Sequence, residues 1–386
     1  MKILFLDSPA FAKEDLLEAF TECGIEYTLF FHEAYHQRSD AGYEQAFDTA
    51  VSKETFDFVF SFNYFPILSN CCKRHCLKYV SYVYDSPLVS LYSYTLINDC
   101  NYVFLFDKTL YLKFKNAGID TVYYLPLAAN ARRLSSLSAP AELADKLRSE
   151  VSFVGSLYNE EHNLFDQLKN LPDYTRGYLD AIMAAQQKLY GCFLLEDLLY
   201  PDILKDLQNS VPYQPMSDGT EPEAYVYANY FLARKITSKE RISLLNRLSM
   251  QFQVKLFSHK PSPLIPKAEF MGTVDYYTLM PLIFQNSDIN LNITLKSIYS
   301  GIPLRCMDIM GTGGFLLTNY QADFFDFFLP EEDFVFYESE EDCLKKTRYY
   351  LSHDSKRRQI AENAFGKIMD HHTFSHRVQT MLSVLS

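Results

Sequence analysis

Tryptophan is absent from the 386 residues, and no stretch reaches 18 consecutive apolar residues. The second absence excludes a membrane-spanning helix from the expected architecture. The N-terminus also lacks the basic, apolar and cleavage sections of a secretory signal, so Met1-Lys2-Ile3-Leu4-Phe5-Leu6 reads as a first buried strand. A soluble, cytoplasmic protein is expected. Positive charge is in deficit: 36 Lys plus Arg face 48 Asp plus Glu, a formal net charge of −12. Such a surface repels a polyphosphate backbone, which excludes a broad nucleic-acid footprint and leaves room for one small phosphorylated ligand in a local positive pocket. Eight cysteines without an export signal are expected as reduced thiols. Cys71, Cys72, His75 and Cys76 lack the second ligand hairpin of a zinc site and read as a helix turn burying some of its thiols. His372 and His376, four apart on an expected helix, lack a third ligand and read as a surface pair. No metal site is expected. Nor does a glycine-rich turn follow the first strand; Asp7-Ser8-Pro9 stands there and argues against a dinucleotide site in the N-terminal half.

What is present suits two domains. Apolar residues make up 48% of the chain, and 29 Tyr and 31 Phe supply all of the aromatic content, so ring stacking falls to loop tyrosines. Short apolar runs predict strands at residues 3–6, 27–31, 56–60, 79–84, 102–106 and 122–125, with a helix over 13–23 stopped by Gly24. Strands separated by helices predict a parallel sheet with right-handed crossovers. Residues 128–150 are polar and rich in Ala and Ser, and read as a connection. A second α/β unit opens with a strand at 151–154, and a helical insertion spans 159–248, with a turn region across Pro212, Pro215 and Pro222. Further strands are expected at 254–257, 270–272, 289–293 and 314–318, helices at 276–286 and about 303–311, and two helices in the last 45 residues. The expected class is α/β: Rossmann-like domains at 1–150 and 151–370, then a C-terminal helix at 371–386.

The strongest chemical signal lies between the strand at 289–293 and the following helix. Gly301-Ile302-Pro303 starts that helix, where free backbone N–H groups attract anions and proline fits the first turn. Arg305 sits in the same turn, against the macrodipole unless an anion is bound. Asp308 lies three residues on, on the same helical face, suited to accept hydrogen bonds from ribose hydroxyls. Gly313-Gly314 permits a close backbone approach or a tight helix exit. The alternative is an ordinary strand–helix–strand unit in which Arg305 and Asp308 pair across one turn.

This segment resembles the donor site of group 1 glycosyltransferases of the two-Rossmann-domain GT-B architecture, specifically the CgeB-like (spore maturation protein) group. The resemblance is carried by Phe60-Ser61-Phe62-Asn63-Tyr64-Phe65-Pro66, Tyr82-Val83-Tyr84-Asp85-Ser86-Pro87, Tyr124-Leu125-Pro126-Leu127-Ala128 and the run from Asn290 to Asn319. The closing run from Arg358 to Arg377, with His371-His372-Thr373, is similar to that group's C-terminus. The resemblance implies two sheets facing a central cleft and a nucleoside diphosphate sugar, UDP-sugar favoured, as donor in the C-terminal half. It also implies no permanently bound cofactor, metal-independent transfer, and a glycan or protein acceptor on the N-terminal side. Retaining GT-B enzymes carry two glutamates eight positions apart in this region. Anchoring on Gly301 and Gly313 places Ser300 at the first and Asp308 at the second. Asp308 keeps the ribose-gripping carboxylate; Ser300 removes a charge that contacts the sugar, which leaves the stereochemical outcome open. Gly155-Ser156 resembles the loop whose amides meet the donor phosphates. Ser258-His259-Lys260 stands where the base or phosphate pocket is lined, with a plain surface lysine as the alternative for Lys260. Asn292 and Thr294 either face the cleft or satisfy loop backbone. Arg305, Lys260 and the helix start near Gly301 would stabilise the leaving diphosphate.

Open α/β sheets bind ligands beyond the carboxyl ends of their strands. On the N-terminal side this nominates Asp7-Ser8, Asn63-Tyr64 and Asp85-Ser86. Asp85, expected to be partly buried, is the candidate general base for an inverting reaction; the alternative is a cap on the turn before Pro87. Two rival functions remain: a nucleotide-sugar epimerase on the same fold, and a non-catalytic nucleotide-sugar-binding or spore and envelope structural protein.

Overall fold

The computed structural model describes residues 1–159 and 163–386; the part of the expected insertion at 160–162 lies outside them. The chain begins with β1 (Lys2–Leu6), α1 (Lys13–Glu22), β2 (Glu26–Phe30), α2 (Ala41–Lys53), β3 (Phe58–Phe62), α3 (Pro66–Arg74) and β4 (Lys78–Val83). Next come β5 (Asn101–Leu105), α4 (Lys108–Asn116), β6 (Val122–Tyr124), α5 (Ala131–Ser136), α6 (Ala141–Leu147) and β7 (Ser149–Val154). A helical stretch follows: α7 (Asp173–Gln187), α8 (Leu195–Leu198), α9 (Pro201–Ser210), α10 (Glu223–Val226) and α11 (Ala233–Ser249), the last two joined by a π-helical segment over Tyr227–Leu232. The remaining elements are β8 (Val254–Phe257), β9 (Glu269–Phe270), α12 (Leu279–Gln285), β10 (Ser287–Asn292), α13 (Leu304–Gly311), β11 (Leu316–Asn319), β12 (Val335–Tyr337), α14 (Glu340–Leu351), α15 (Asp354–His371) and α16 (Phe374–Leu385).

These elements form two compact units. The first comprises Met1–Leu127, Gln214–Pro222 and Thr373–Ser386; the second comprises Ala128–Tyr213 and Glu223–His372. Each holds one six-stranded parallel sheet, ordered β2-β1-β3-β4-β5-β6 in the first and β12-β11-β10-β7-β8-β9 in the second. The expected α/β class and parallel sheets are present. Parallel strands need crossovers that cover both faces, so central strands carry unbroken apolar runs. β3 (FVFSF) is buried at every position, and its Phe60 stacks on Phe5 at 5.2 Å between ring centroids. In the second unit Val151, Phe153, Leu244, Leu248, Leu256, Ile289, Leu291 and Leu317 form the core.

The structure differs from the sequence reading at several points. The division falls at Leu127/Ala128 rather than at 150, because α5 packs on α13: a Cβ on Gly311 would lie 2.9 Å from Ala129 Cβ and 3.0 Å from Leu134 Cδ1. β3 starts two residues later than the expected 56–60. A run buried on both faces has no polar alternation to set its ends. The last 45 residues hold three helices, not two, since Thr373 caps α16 through a capping box with His376 and breaks the run after α15. His372 and His376 are therefore not a surface pair on one helix. His372 is buried against Phe327 and Phe328, and His376 serves the cap. Within the helical insertion, Gln214–Pro222 belongs to the first unit. There Ser93 and Gly219 form an antiparallel bridge, Thr220 N donates to Tyr92 O at 2.6 Å, and Arg38 pairs with Asp218 at 3.1 Å. Cys71 and Cys72 are buried on α3, while His75 bonds Asp48. Among the described residues, no helix is long and apolar enough to cross a membrane, and no group of three or more His, Cys, Asp or Glu side chains is arranged for a metal.

Candidate functional site

In the second sheet the strand order reverses between β10 and β7. The carboxyl edge at such a switch point is where open α/β sheets leave a crevice. Gly155 and Ser156 leave β7 there, and Ile293 and Thr294 leave β10 beside them. Arg241, from α11, bridges the two exits: Nη1 donates to Ser156 O, and Nε and Nη2 donate to Ile293 O. α13 begins close by. Pro303 precedes it without a side-chain cap; Cys306 N turns back to Pro303 O at 2.9 Å, which leaves the Leu304 and Arg305 amides of the first turn open to an anion.

Arg305 stands in that first turn. Its Nη1 lies 3.6 Å from the point a Cβ on Gly155 would occupy, which brings the guanidinium against the β7 exit. Its Nε is buried without a hydrogen-bond partner. Burial pulls the Arg305 pKa down; the Asp308 carboxylate opposes this, and the like charge of Arg241 adds to it. A buried unpartnered donor beside a second positive charge is costly until an anion reaches it. Asp308, 2% exposed, accepts a hydrogen bond from Tyr276 Oη at 3.0 Å. The Arg305 and Asp308 charges do influence each other across the turn, as the alternative reading held, yet the Arg305 Nε stays unsatisfied.

The remaining expected residues divide into three groups. Some stand at the switch point as scaffold. Ser156 Oγ accepts from Tyr158 N at 2.9 Å. Asn292 Nδ2 donates to Thr294 Oγ1 and Thr318 Oγ1, both at 3.0 Å, while Thr294 N donates to Asn319 Oδ1 at 2.7 Å; the pair holds the loop together. Ser300 and Gly301 are buried, and their carbonyls accept from Asp323 N at 3.0 Å and Gln321 Nε2 at 3.3 Å. His259 and Lys260 follow β8, the strand next to β7, and are exposed. Gly313 is not brought to the site. α13 carries the chain about 12 Å back along the sheet, and Gly313 lines a groove with Ser287, Asp288 and Phe315 at the amino ends of β10 and β11.

In the first unit the switch point lies between β1 and β3. Asp7 pairs with Lys13 at 2.7 Å. Asp85 is exposed, which corrects the expected partial burial: it follows β4 into an open loop. Asn63 Nδ2 donates to its Oδ2 at 2.7 Å, and Asn63 Oδ1 accepts from Tyr84 N and Asp85 N at 2.9 and 3.1 Å. The loop is thus held by Asn63, a non-glycine residue at φ 58°.

Sequence reasoning missed Arg241 and Tyr276. Arg241 carried a signal: it falls three and seven residues before Leu244 and Leu248, on the apolar stripe of its helix, where a charge is out of pattern.

The two sheets define the GT-B architecture. Over 100% of its length the chain is similar to sucrose-phosphate synthase from Thermosynechococcus elongatus (TM-score 0.56, 9% identity, 99% of that chain). It is likewise similar over 100% to HepE of Anabaena in complex with UDP-glucose (TM-score 0.55, 11% identity, 99% of that chain). The E. coli trehalose-6-phosphate protein bound with UDP-2-fluoro glucose compares at TM-score 0.54 and 11% identity over 100% of this chain and 99% of that one. Residues 239–383 match the family model described as glycosyl transferase-like, a stretch that contains Arg241, Arg305 and Asp308. Among curated proteins, none matches this chain.

Proposed function

We propose that the protein is a glycosyltransferase of the CgeB-like group that takes a UDP-sugar at the β7–β10 switch point and transfers the sugar to a hydroxyl of a glycan or protein. Arg305 carries this reading: a guanidinium with a buried unpartnered Nε, at an uncapped helix start and against the Gly155 backbone, is built to receive a diphosphate. The glycosyl transferase-like match supports the reaction class, and the UDP-sugars held by HepE and the E. coli protein support the donor class. In the transfer, the acceptor oxygen bonds to the anomeric carbon as the bond from that carbon to the diphosphate oxygen breaks. UDP leaves with the charge and the acceptor proton passes to a base; for an inverting outcome Asp85 is the nominee. Arg305 and the α13 amides meet that charge, which is why no metal is assigned to the step; exposed Lys260 adds to it. We place the reaction in the cytoplasm.

The test is a calorimetric titration with UDP, GDP, ADP and TDP, followed by an assay of UDP-sugar turnover with and without candidate acceptors. Selective UDP binding with turnover supports the proposal, whereas binding to none of the four overturns it. The neutral, buried Ser300 favours a second reading, a donor-binding protein without catalysis; UDP binding with no turnover would establish that one instead.

A further inference from the structure

Thr237, Glu240 and Arg241 occupy one face of α11 and are 0%, 2% and 8% exposed. All three grip the same loop, the exit from β10. Thr237 Oγ1 accepts from Lys296 N at 3.0 Å, Glu240 pairs with Lys296 Nζ at 3.3 Å, and Arg241 donates to Ile293 O. Lys296 also lies over the Tyr190 ring, 3.9 Å from its centroid, and Tyr190 Oη donates to the other oxygen of Glu240. Further along the loop, Tyr299 Oη donates to Glu196 and Asn229, on α8 and the π-helical segment. Tyr190, α8, the π-helical segment and α11 therefore hold residues 293–299 by polar contacts.

Burying two charges and their partners is a poor way to gain stability, since apolar side chains of similar volume would serve as well or better. What such contacts supply is one fixed geometry. We infer that α11 is the positioning helix of the donor loop, with Arg241 its principal positioning residue: it sets the β10 exit against the β7 exit, and thereby sets the approach of Arg305 to Gly155. The functional part of this inference rests on the donor-site reading above; the structural part does not.

Arg241→Met, Arg241→Lys and Thr237→Val separate the possibilities. Arg241→Lys keeps the charge and loses the fork that spans Ser156 O and Ile293 O. Thr237→Val is a near-isosteric change that removes one grip if the arginine variants fold poorly. Backbone hydrogen exchange at 293–300 is expected to rise at least tenfold in both arginine variants, and UDP affinity to fall about tenfold as the competent loop population falls to about a tenth. Thr237→Val should show a smaller rise at the same residues. Exchange at 293–300 unchanged in all three variants overturns the inference. So does Arg241→Lys binding UDP like the wild type, which would make Arg241 a source of charge only. If the wild-type protein binds no UDP, the donor reading fails while the exchange data still decide the role of α11.

Discussion

At the scale of the residue, the decisive group is one that the folded chain leaves unsatisfied. A buried donor without a partner costs about 1–3 kcal/mol, and Arg305 Nε is such a donor. Arg305→Met keeps the stem and removes the charge. It is expected to leave the melting temperature unchanged or raise it, while UDP affinity falls at least tenfold. Differential scanning calorimetry and titration calorimetry read the two effects; a destabilised variant with intact UDP binding would remove Arg305 from the site. Thiols divide by the same criterion of burial. Cys76 and Cys192 are exposed, whereas Cys72, Cys306 and Cys343 are buried and their pKa values are pushed well up by desolvation. A thiol must ionise and be reached to react. In native protein Cys76 and Cys192 should therefore react with a thiol reagent first, as peptide mapping would show, and Cys306 should react only on unfolding. Arg305 and Asp308 were legible in the sequence because a cation in a helix's first turn contradicts the dipole. The exposure of Asp85 was not, since it depends on how the loop after β4 is held by Asn63, the residue just after β3.

At the scale of the element, α13 explains why two adjacent glycines differ in role from the residues at its start. Gly313 has φ 75° with open space where a Cβ would stand, while a Cβ on Gly314 would meet Asn290 Nδ2 at 2.8 Å and Phe284 O at 3.0 Å. Gly313→Ala should cost roughly 1 kcal/mol through left-handed strain alone. Gly314→Ala should cost more, on the order of 1–3 kcal/mol, because backbone atoms must shift to make room. Both lie at the amino edge of the sheet, so urea unfolding should shift for each, and UDP affinity of the folded Gly313→Ala protein should match the wild type. A loss of affinity there would return Gly313 to the donor site. The sequence placed most strands within two residues because apolar runs bounded by polar residues survive any tertiary context. It placed α11 only as scaffold: the polar residues on its buried face weaken its amphipathic pattern, and their partners, Lys296 and the carbonyls of Ser156 and Ile293, are far away in the chain.

At the scale of the molecule, the least legible feature is that the first unit is assembled from three separate pieces of chain. Local periodicity identifies a helix but not the sheet it covers, so the C-terminal helix and the Gln214–Pro222 segment could not be assigned from pattern. The structure gives both to the first unit. Arg377, buried on α16, donates to Pro126 O at 2.7 Å and Leu127 O at 3.1 Å, and Tyr82 Oη donates to the same Pro126 carbonyl. Phe374, Val378, Met381 and Leu385 are buried on the same helix. At about 1.5–3 kcal/mol for each such side chain, their removal takes away roughly 6–12 kcal/mol, comparable with the 5–15 kcal/mol that holds a typical domain together. Deleting Thr373–Ser386 is therefore expected to unfold the first unit. In hydrogen exchange, β1, β3, β4 and β5 should lose protection in the truncated chain, while β7, β8, β10 and β11 keep theirs. If the donor site lies wholly in the second unit, UDP should still slow exchange at 155–156 and at the start of α13 in the truncated protein. Protection lost equally in both sheets would show that α16 supports more than the unit in which it packs.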